Sequence, residues 1–233
     1  AGIADRCFVH AADTRLNHYL RGTYVDNCLR GGLPISLDVG GKPAAYHVFS
    51  RKHGDLERDY NMFLLEPTWF SQGNGDFRDA NQNRRHDVWF NPDVGADNLR
   101  YFWNLIQIDG WNPKICKGVR FRVAEVAACR ADVAAALGEA VAARIAPALD
   151  ALFTPGALLE RVRTTGIARA DAERLLRLVL ARARKVEDAE YGHGYWTDHW
   201  FYNVDQLESF LAIFPEQQRA VLFDDRSYFY WDD

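Results

Sequence analysis

The densest group of side chains able to do chemistry is the run Trp69-Phe70-Ser71-Gln72-Gly73-Asn74-Gly75-Asp76-Phe77-Arg78-Asp79-Ala80-Asn81-Gln82-Asn83-Arg84-Arg85. Gly73 and Gly75 let the backbone bend close to a ligand. The guanidinium, carboxylate and amide groups that follow supply both donors and acceptors, the mixture that vicinal hydroxyls require. Trp69 or Phe77 offers an aromatic face to the apolar side of a pyranose, while Arg78, Asp79 and Gln82 offer polar contacts, so the chemistry predicted here is sugar binding. The competing reading is a structural Arg78–Asp79 ion pair in a loop that caps a helix.

A second group, Tyr195-Trp196-Thr197-Asp198-His199-Trp200, embeds a carboxylate and an imidazole among aromatics. Apolar surroundings raise an acid's pKa, which makes Asp198 the candidate catalytic acid. Binding of a hydroxyl, or capping of the helix that includes Leu207, is its alternative role. No metal set is predicted from the seven histidines. His193 and His199 lack the i,i+4 spacing of a helical metal pair, and His86 stands beside Asp87 with no second ligand near it in sequence. The absence of GxxxxGKS/T, GxSxG and CGxC patterns argues against nucleotide hydrolysis and against serine or cysteine acyl transfer.

The segment Gly75-Asp76-Phe77-Arg78-Asp79-Ala80-Asn81-Gln82-Asn83 resembles the Gly-x-aromatic-Arg-Asp-x-x-Gln-Asp motif of the cellobiose, cellodextrin and chitobiose phosphorylases. Leu16-Asn17-His18-Tyr19-Leu20 is similar to that family's Leu-Asn-x-x-Leu, and Tyr202-Asn203-Val204-Asp205-Gln206-Leu207 to its Asn-Asp-Asp-x-Leu helix start. The resemblance implies an all-α fold, part of an (α/α)6-type helical barrel, and inverting phosphorolysis of β-linked glucosyl-type disaccharides or oligosaccharides to sugar 1-phosphate. Arg78 and Asp79 would then occupy the glycone subsite, and Gln82 and Asp205, within the matching motifs, are counted as substrate-binding with Trp69 and Phe77. Inorganic phosphate would be the co-substrate and no cofactor would be needed, because the anion attacks the anomeric carbon directly while one protein acid protonates the leaving oxygen.

The chain departs from that pattern. Asn83 stands where the family has a carboxylate, and Arg84-Arg85 where it has apolar residues, which predicts a changed subsite or another substrate. The family's Asp-Trp-Asn-Asp acid motif has no counterpart here; Tyr230-Trp231-Asp232-Asp233 lacks the Asn and follows Asp205 too closely. An inverting glycoside hydrolase on the same fold, and a non-catalytic carbohydrate-binding or interaction segment, are the alternatives, since fold alone does not fix the reaction.

These side chains need elements to hold them. With 233 residues and 48% hydrophobic composition the chain has enough apolar surface for a sizeable core. A net charge of −4 gives no general attraction for nucleic acid. No apolar run reaches the roughly 18–20 residues that span a bilayer, and the beginning carries no signal pattern, which predicts a soluble, cytoplasmic protein with no membrane partner. Four cysteines without CxxC spacing read as reduced thiols.

Helical spacing places Leu16, Leu20, Tyr24 and Cys28 on one face, and further helices over Asp55–Leu65 and around Leu99, Phe102, Trp103 and Ile106. Gly40-Gly41 and two prolines make residues 33–49 a hairpin or extended loop. Three regions follow: 1–118 as the first part of a barrel, 119–190 as an Ala/Arg-rich helical insert, and 191–233 as a return to the barrel. In the insert, Thr154-Pro155 starts a helix that Gly166 closes, and a second helix points Leu175, Leu176, Val179 and Ala183 inward. Val204, Leu207, Leu211 and Phe214 mark a last helix before Pro215. The aromatic run Tyr228-Phe229-Tyr230-Trp231 predicts packing partners in the remainder of the same enzyme or in a homo-oligomer.

Overall fold

A computed structural model describes residue 5 and residues 7–48, 68–72, 75–106, 114–191 and 198–229. Helix α1 (Thr14–Gly31) starts where the Asp13 side chain accepts from the Arg15 backbone N–H, an N-cap that satisfies an otherwise orphaned donor. Strands β1 (Leu33–Val39) and β2 (Lys42–Val48) form an antiparallel hairpin. Gly40 and Gly41, with φ of 60° and 79°, make the two-residue turn that only residues free of a Cβ enter readily.

A short strand β3 (Gly75–Asp76) runs straight into α2 (Phe77–Arg84). Helices α3 (Asp87–Phe90) and α4 (Asp97–Asn104) follow, separated by a 3-10 turn at Pro92–Val94. Strand β4 (Lys114–Val123) leads into α5 (Val126–Leu137), α6 (Glu139–Leu149), α7 (Pro155–Arg163) and α8 (Arg169–Leu180), and β5 (Ala183–Tyr191) returns antiparallel to β4. The sheet order is β3-β4-β5. Helix α9 (His199–Ile213) packs on α2 and α4.

The largest core joins α5–α8 to both sheets: Val133, Ile145, Leu158, Val162, Leu175 and Val179 are fully buried, with Phe121 from β4 and Val39 and Tyr46 from the hairpin among them. The Ala/Arg-rich stretch therefore shares its core with the β1–β2 hairpin. Its expected limits, 119 and 190, fall inside the paired strands β4 and β5. A second cluster gathers Phe77, Ala80, Tyr101, Phe102, Leu105, Cys116 and Ala189, and a third gathers Ala96, Leu99, Phe210 and Val221.

The expected all-α, (α/α)6-type architecture is overturned. The fold is mixed α/β with two small antiparallel sheets, and no barrel is evident among the described residues. In β4, Val119, Phe121 and Val123 alternate with Arg120 and Arg122 as a half-buried strand requires, but the Ala/Arg-rich composition that begins there favours helix. In β5, Arg184, Lys185, Glu187, Asp188 and Glu190 break the alternation, and they are matched across the sheet, Lys117 pairing with Glu190 and Arg120 with Asp188 at 2.7 Å. The helix expected over Asp55–Leu65 lies outside the described residues. Thr154 caps α7 as read, its hydroxyl accepting from the Ala157 N–H at 3.2 Å, whereas Ala183 belongs to β5 rather than to the preceding helix. No described helix is long and apolar enough to cross a membrane.

Candidate functional site

Arg78 and Asp79 occupy the first turn of α2, directly after a strand hydrogen-bonded to β4. The preceding turn is locked to the same strand by Gln72. Its side-chain amide donates to the Val119 carbonyl at 2.8 Å and accepts from the Val119 N–H at 2.7 Å, as a strand backbone would. Gly118, at φ 100°, sits at the bulge in β4 and leaves room for that side chain.

Phe77 is 1% exposed and seats α2 in the core, its ring 5.3 Å from Phe102 and 5.0 Å from His199. It supports Arg78 from below and presents no face to a ligand. One turn later, the Asn81 amide donates to Asn203 Oδ1 and accepts from Gln206 Nε2, both at 2.7 Å, and all three residues are buried. His86 Nδ1 meets Ser209 Oγ at 2.8 Å. Buried polar groups must be matched in this way or they cost stability, so the network sets the register of α2 against α9.

That register brings Asp198 to Arg78. Arg78 Nε donates to Asp198 Oδ2 at 2.8 Å, its NH1 group lies 3.4 Å from Asp79 Oδ1, and the Tyr202 hydroxyl donates to the same Asp198 oxygen at 3.1 Å. Arg78 and Asp198 are each about one-third exposed, at 35% and 32%, while Asp79 is 10% exposed. Burial pulls the Arg78 guanidinium down, but the hydrogen bond and charge of Asp198 leave it above its ordinary value. Burial and the Asp198 charge raise the Tyr202 phenol. Burial and the Arg78 charge lower the His199 imidazole against the pull of Asp198 and Asp79.

Asp205 joins the cluster indirectly. Arg85 Nε pairs with its Oδ2 at 3.1 Å while the guanidinium lies over the Tyr202 ring, 4.9 Å from its centre. The result is a partly exposed surface of donors and acceptors, no charged side chain of which is more than 37% exposed: Arg78, Asp79, Asp198, Tyr202, Arg85 and Asp205. Gln82 is exposed on α2. Trp69 lies elsewhere, 55% exposed on the wall of a cavity formed with α7 and α8. Tyr202, Arg85, Asn81, Asn203 and Gln206 were not legible as site residues, although Asp198, Tyr202 and Asp205 share the helical spacing that would have grouped them.

A second polar network is enclosed between β2, α3 and α4. His47 Nε2 is 2.9 Å from Asp87 Oδ2, and the Asn98 amide donates to that oxygen at 2.9 Å and to the Arg84 carbonyl at 3.2 Å. Burial pushes the Asp87 carboxyl up to about 7, with the Arg84 charge and the Asn98 hydrogen bond opposing it. Burial and the charges of Arg84 and Lys185 hold the His47 imidazole well below its ordinary range. With His47 and Asp87 side chains only 7% and 13% exposed, this network ties elements together and offers no surface to a substrate.

Among the described residues, no group of three or more His, Cys, Asp or Glu side chains stands where it could hold a metal ion. Comparison of the chain with protein-family models, with curated proteins and with solved structures finds no significant match.

Proposed function

We propose that the α2/α9 surface is the sugar-binding part of a carbohydrate-active enzyme, and that the reaction it serves is inverting phosphorolysis of β-linked glucosyl-type saccharides, with inorganic phosphate as co-substrate. The observation that carries the reading is the meeting of Arg78 and Asp198 at 2.8 Å, each about one-third exposed, flanked by Asp79 and the Tyr202 hydroxyl. Neighbouring hydroxyls of a pyranose alternate as donors and acceptors, and a guanidinium between two carboxylates answers that pattern.

In this reading Arg78 donates to a sugar hydroxyl, and Asp79 and Asp198 accept from its neighbours. Arg78 and Tyr202 both donate to Asp198 Oδ2, an arrangement suited to an acceptor and a clamp on Arg78; a general acid must instead deliver a proton. Asp198 is therefore assigned to binding, and the proton donor is not assigned to it. The phosphorolytic step itself rests on the motif resemblance around Arg78-Asp79.

The test is release of sugar 1-phosphate by the full-length protein from a panel of β-linked disaccharides, with and without inorganic phosphate. Phosphate-dependent release supports phosphorolysis, and turnover in water alone replaces it with hydrolysis. Sugar binding without turnover under either condition replaces both with a binding module.

A further inference from the structure

The turn that carries Trp69 is held in place at several points. Phe70 adopts φ 56°, a left-handed conformation that a bulky residue rarely accepts. The buried Tyr46 hydroxyl donates to the Phe70 carbonyl at 2.7 Å, and the Phe70 ring packs edge-on to Tyr46. On the other side the Trp69 carbonyl lies so close to Gly156 of α7 that a Cβ there would collide with it. Phe70 is thereby turned inward, and Trp69 is left 55% exposed.

Trp69 stands on the wall of a cavity of about 260 Å³. Gly156, Leu159, Glu160 and Arg163 recur at helical spacing along the α7 face that lines it, and Leu159, Ile167 and Ala172 supply apolar surface. Glu160 and Arg163 form an exposed i,i+3 pair on this wall, with Arg163 Nε donating to both carboxylate oxygens at 2.8 and 2.9 Å, and Arg169, paired with Glu173, also lines the cavity. The volume falls just below the roughly 300–1,000 Å³ that holds a drug-sized ligand, so a single ring fits best.

We propose that this cavity is a second saccharide subsite, which takes one pyranose ring with its apolar face on the Trp69 indole and two vicinal hydroxyls on the Glu160–Arg163 pair. A carboxylate beside a guanidinium presents an acceptor next to donors, so one hydroxyl donates a hydrogen bond to Glu160 while its neighbour accepts one from Arg163. An apolar or aromatic ligand would use the tryptophan but leave that pair idle. The subsite uses none of the residues around Arg78 and stands independently of the reading given to them.

The experiment follows the Trp69 indole N–H resonance in the full chain during titration with cellobiose, with benzyl alcohol as an uncharged, planar, hydroxyl-poor comparison. A saturable shift with cellobiose is expected. Glu160→Gln, an exposed change that leaves the fold intact, should weaken it at least tenfold, while Arg78→Ala leaves it unchanged. Trp69→Ala should remove binding at this cavity, read from the resonances of Leu159 and Ile167. An indole resonance indifferent to cellobiose, equal affinity in Glu160→Gln, or a response to benzyl alcohol alone would overturn the proposal. Loss of the shift in Arg78→Ala would also overturn it, by placing the sugar at α2/α9 instead.

Discussion

Arg78 and Asp198 stand 120 positions apart in the chain, and their side chains meet at 2.8 Å. Because the pair is about one-third exposed, its contribution to folding is small, about 0–1 kcal/mol. Its consequence should therefore appear in binding rather than in stability. Asp198→Asn keeps the shape, loses the charge that holds Arg78, and is expected to weaken saccharide binding about tenfold, a change of about 1.4 kcal/mol. Calorimetric titration beside a thermal melt checks this: a fall in melting temperature with unchanged affinity would contradict it.

The Asn81–Asn203–Gln206 network should behave in the opposite way. Asn81 is fully buried and is the partner of both amides. Asn81→Leu leaves Asn203 Oδ1 and Gln206 Nε2 without it, and each buried orphan costs about 1–3 kcal/mol. Chemical denaturation should show a lower midpoint with an unchanged slope.

The His47–Asp87 contact predicts a pH dependence with a definite sign. An Asp whose carboxyl is pushed from 3.8 to about 7 on folding binds its proton more tightly in the native state. The stability this provides is complete below about pH 4 and is lost as pH rises through about 7. The lowered His47 works the other way, providing stability above its ordinary range that is lost as pH falls through its folded value. Asp87→Asn remains uncharged and removes the first contribution alone. From about pH 5 to about pH 8 the wild type should lose stability relative to Asp87→Asn, and denaturant unfolding across that interval measures the difference.

Two glycines should respond oppositely to the same methyl group. Gly156→Ala drives a Cβ into the Trp69 carbonyl and should destabilise the fold by about 1–3 kcal/mol, the range for overpacking. Gly22 lies inside α1 with nothing near its would-be Cβ. Gly22→Ala should stabilise by about 0.4–1 kcal/mol through the unfolded chain. Thermal melts of the two variants decide both.

Local signals carried the elements that obey them. Gly40-Gly41 marked the hairpin, Thr154-Pro155 the start of α7, and Leu175, Leu176 and Val179 the buried face of α8. Strand β4 carries the alternation Val119, Phe121, Val123 but adjoins the Ala/Arg-rich helical stretch, and β5 escaped because charged residues, paired across the sheet, interrupt its apolar positions. Helix α9 was legible as a helix but not in its orientation. Of the apolar residues that mark it, Leu207, Leu211 and Phe214 pack against the third cluster while Val204 is 50% exposed, and the buried residues are His199, Asn203, Gln206, Ser209 and Phe210. Those polar side chains face the core because Asn81 and His86 on the facing segment answer them, a pairing between distant positions that no single segment displays. For the same reason Arg78 and Asp79 stood out as a pair while Tyr202 and Arg85 did not, and Trp69 and Phe77, close in sequence to Arg78, proved to face a separate cavity and the core.

Sugar binding at the α2/α9 surface is tested by backbone and side-chain shift mapping of the labelled protein during titration with cellobiose. Saturable shifts are expected at Arg78, Asp79, Asp198 and Tyr202, and they should vanish from this surface in Arg78→Ala. Absence of any response on α2 and α9, or an identical response in Arg78→Ala, would contradict sugar binding there.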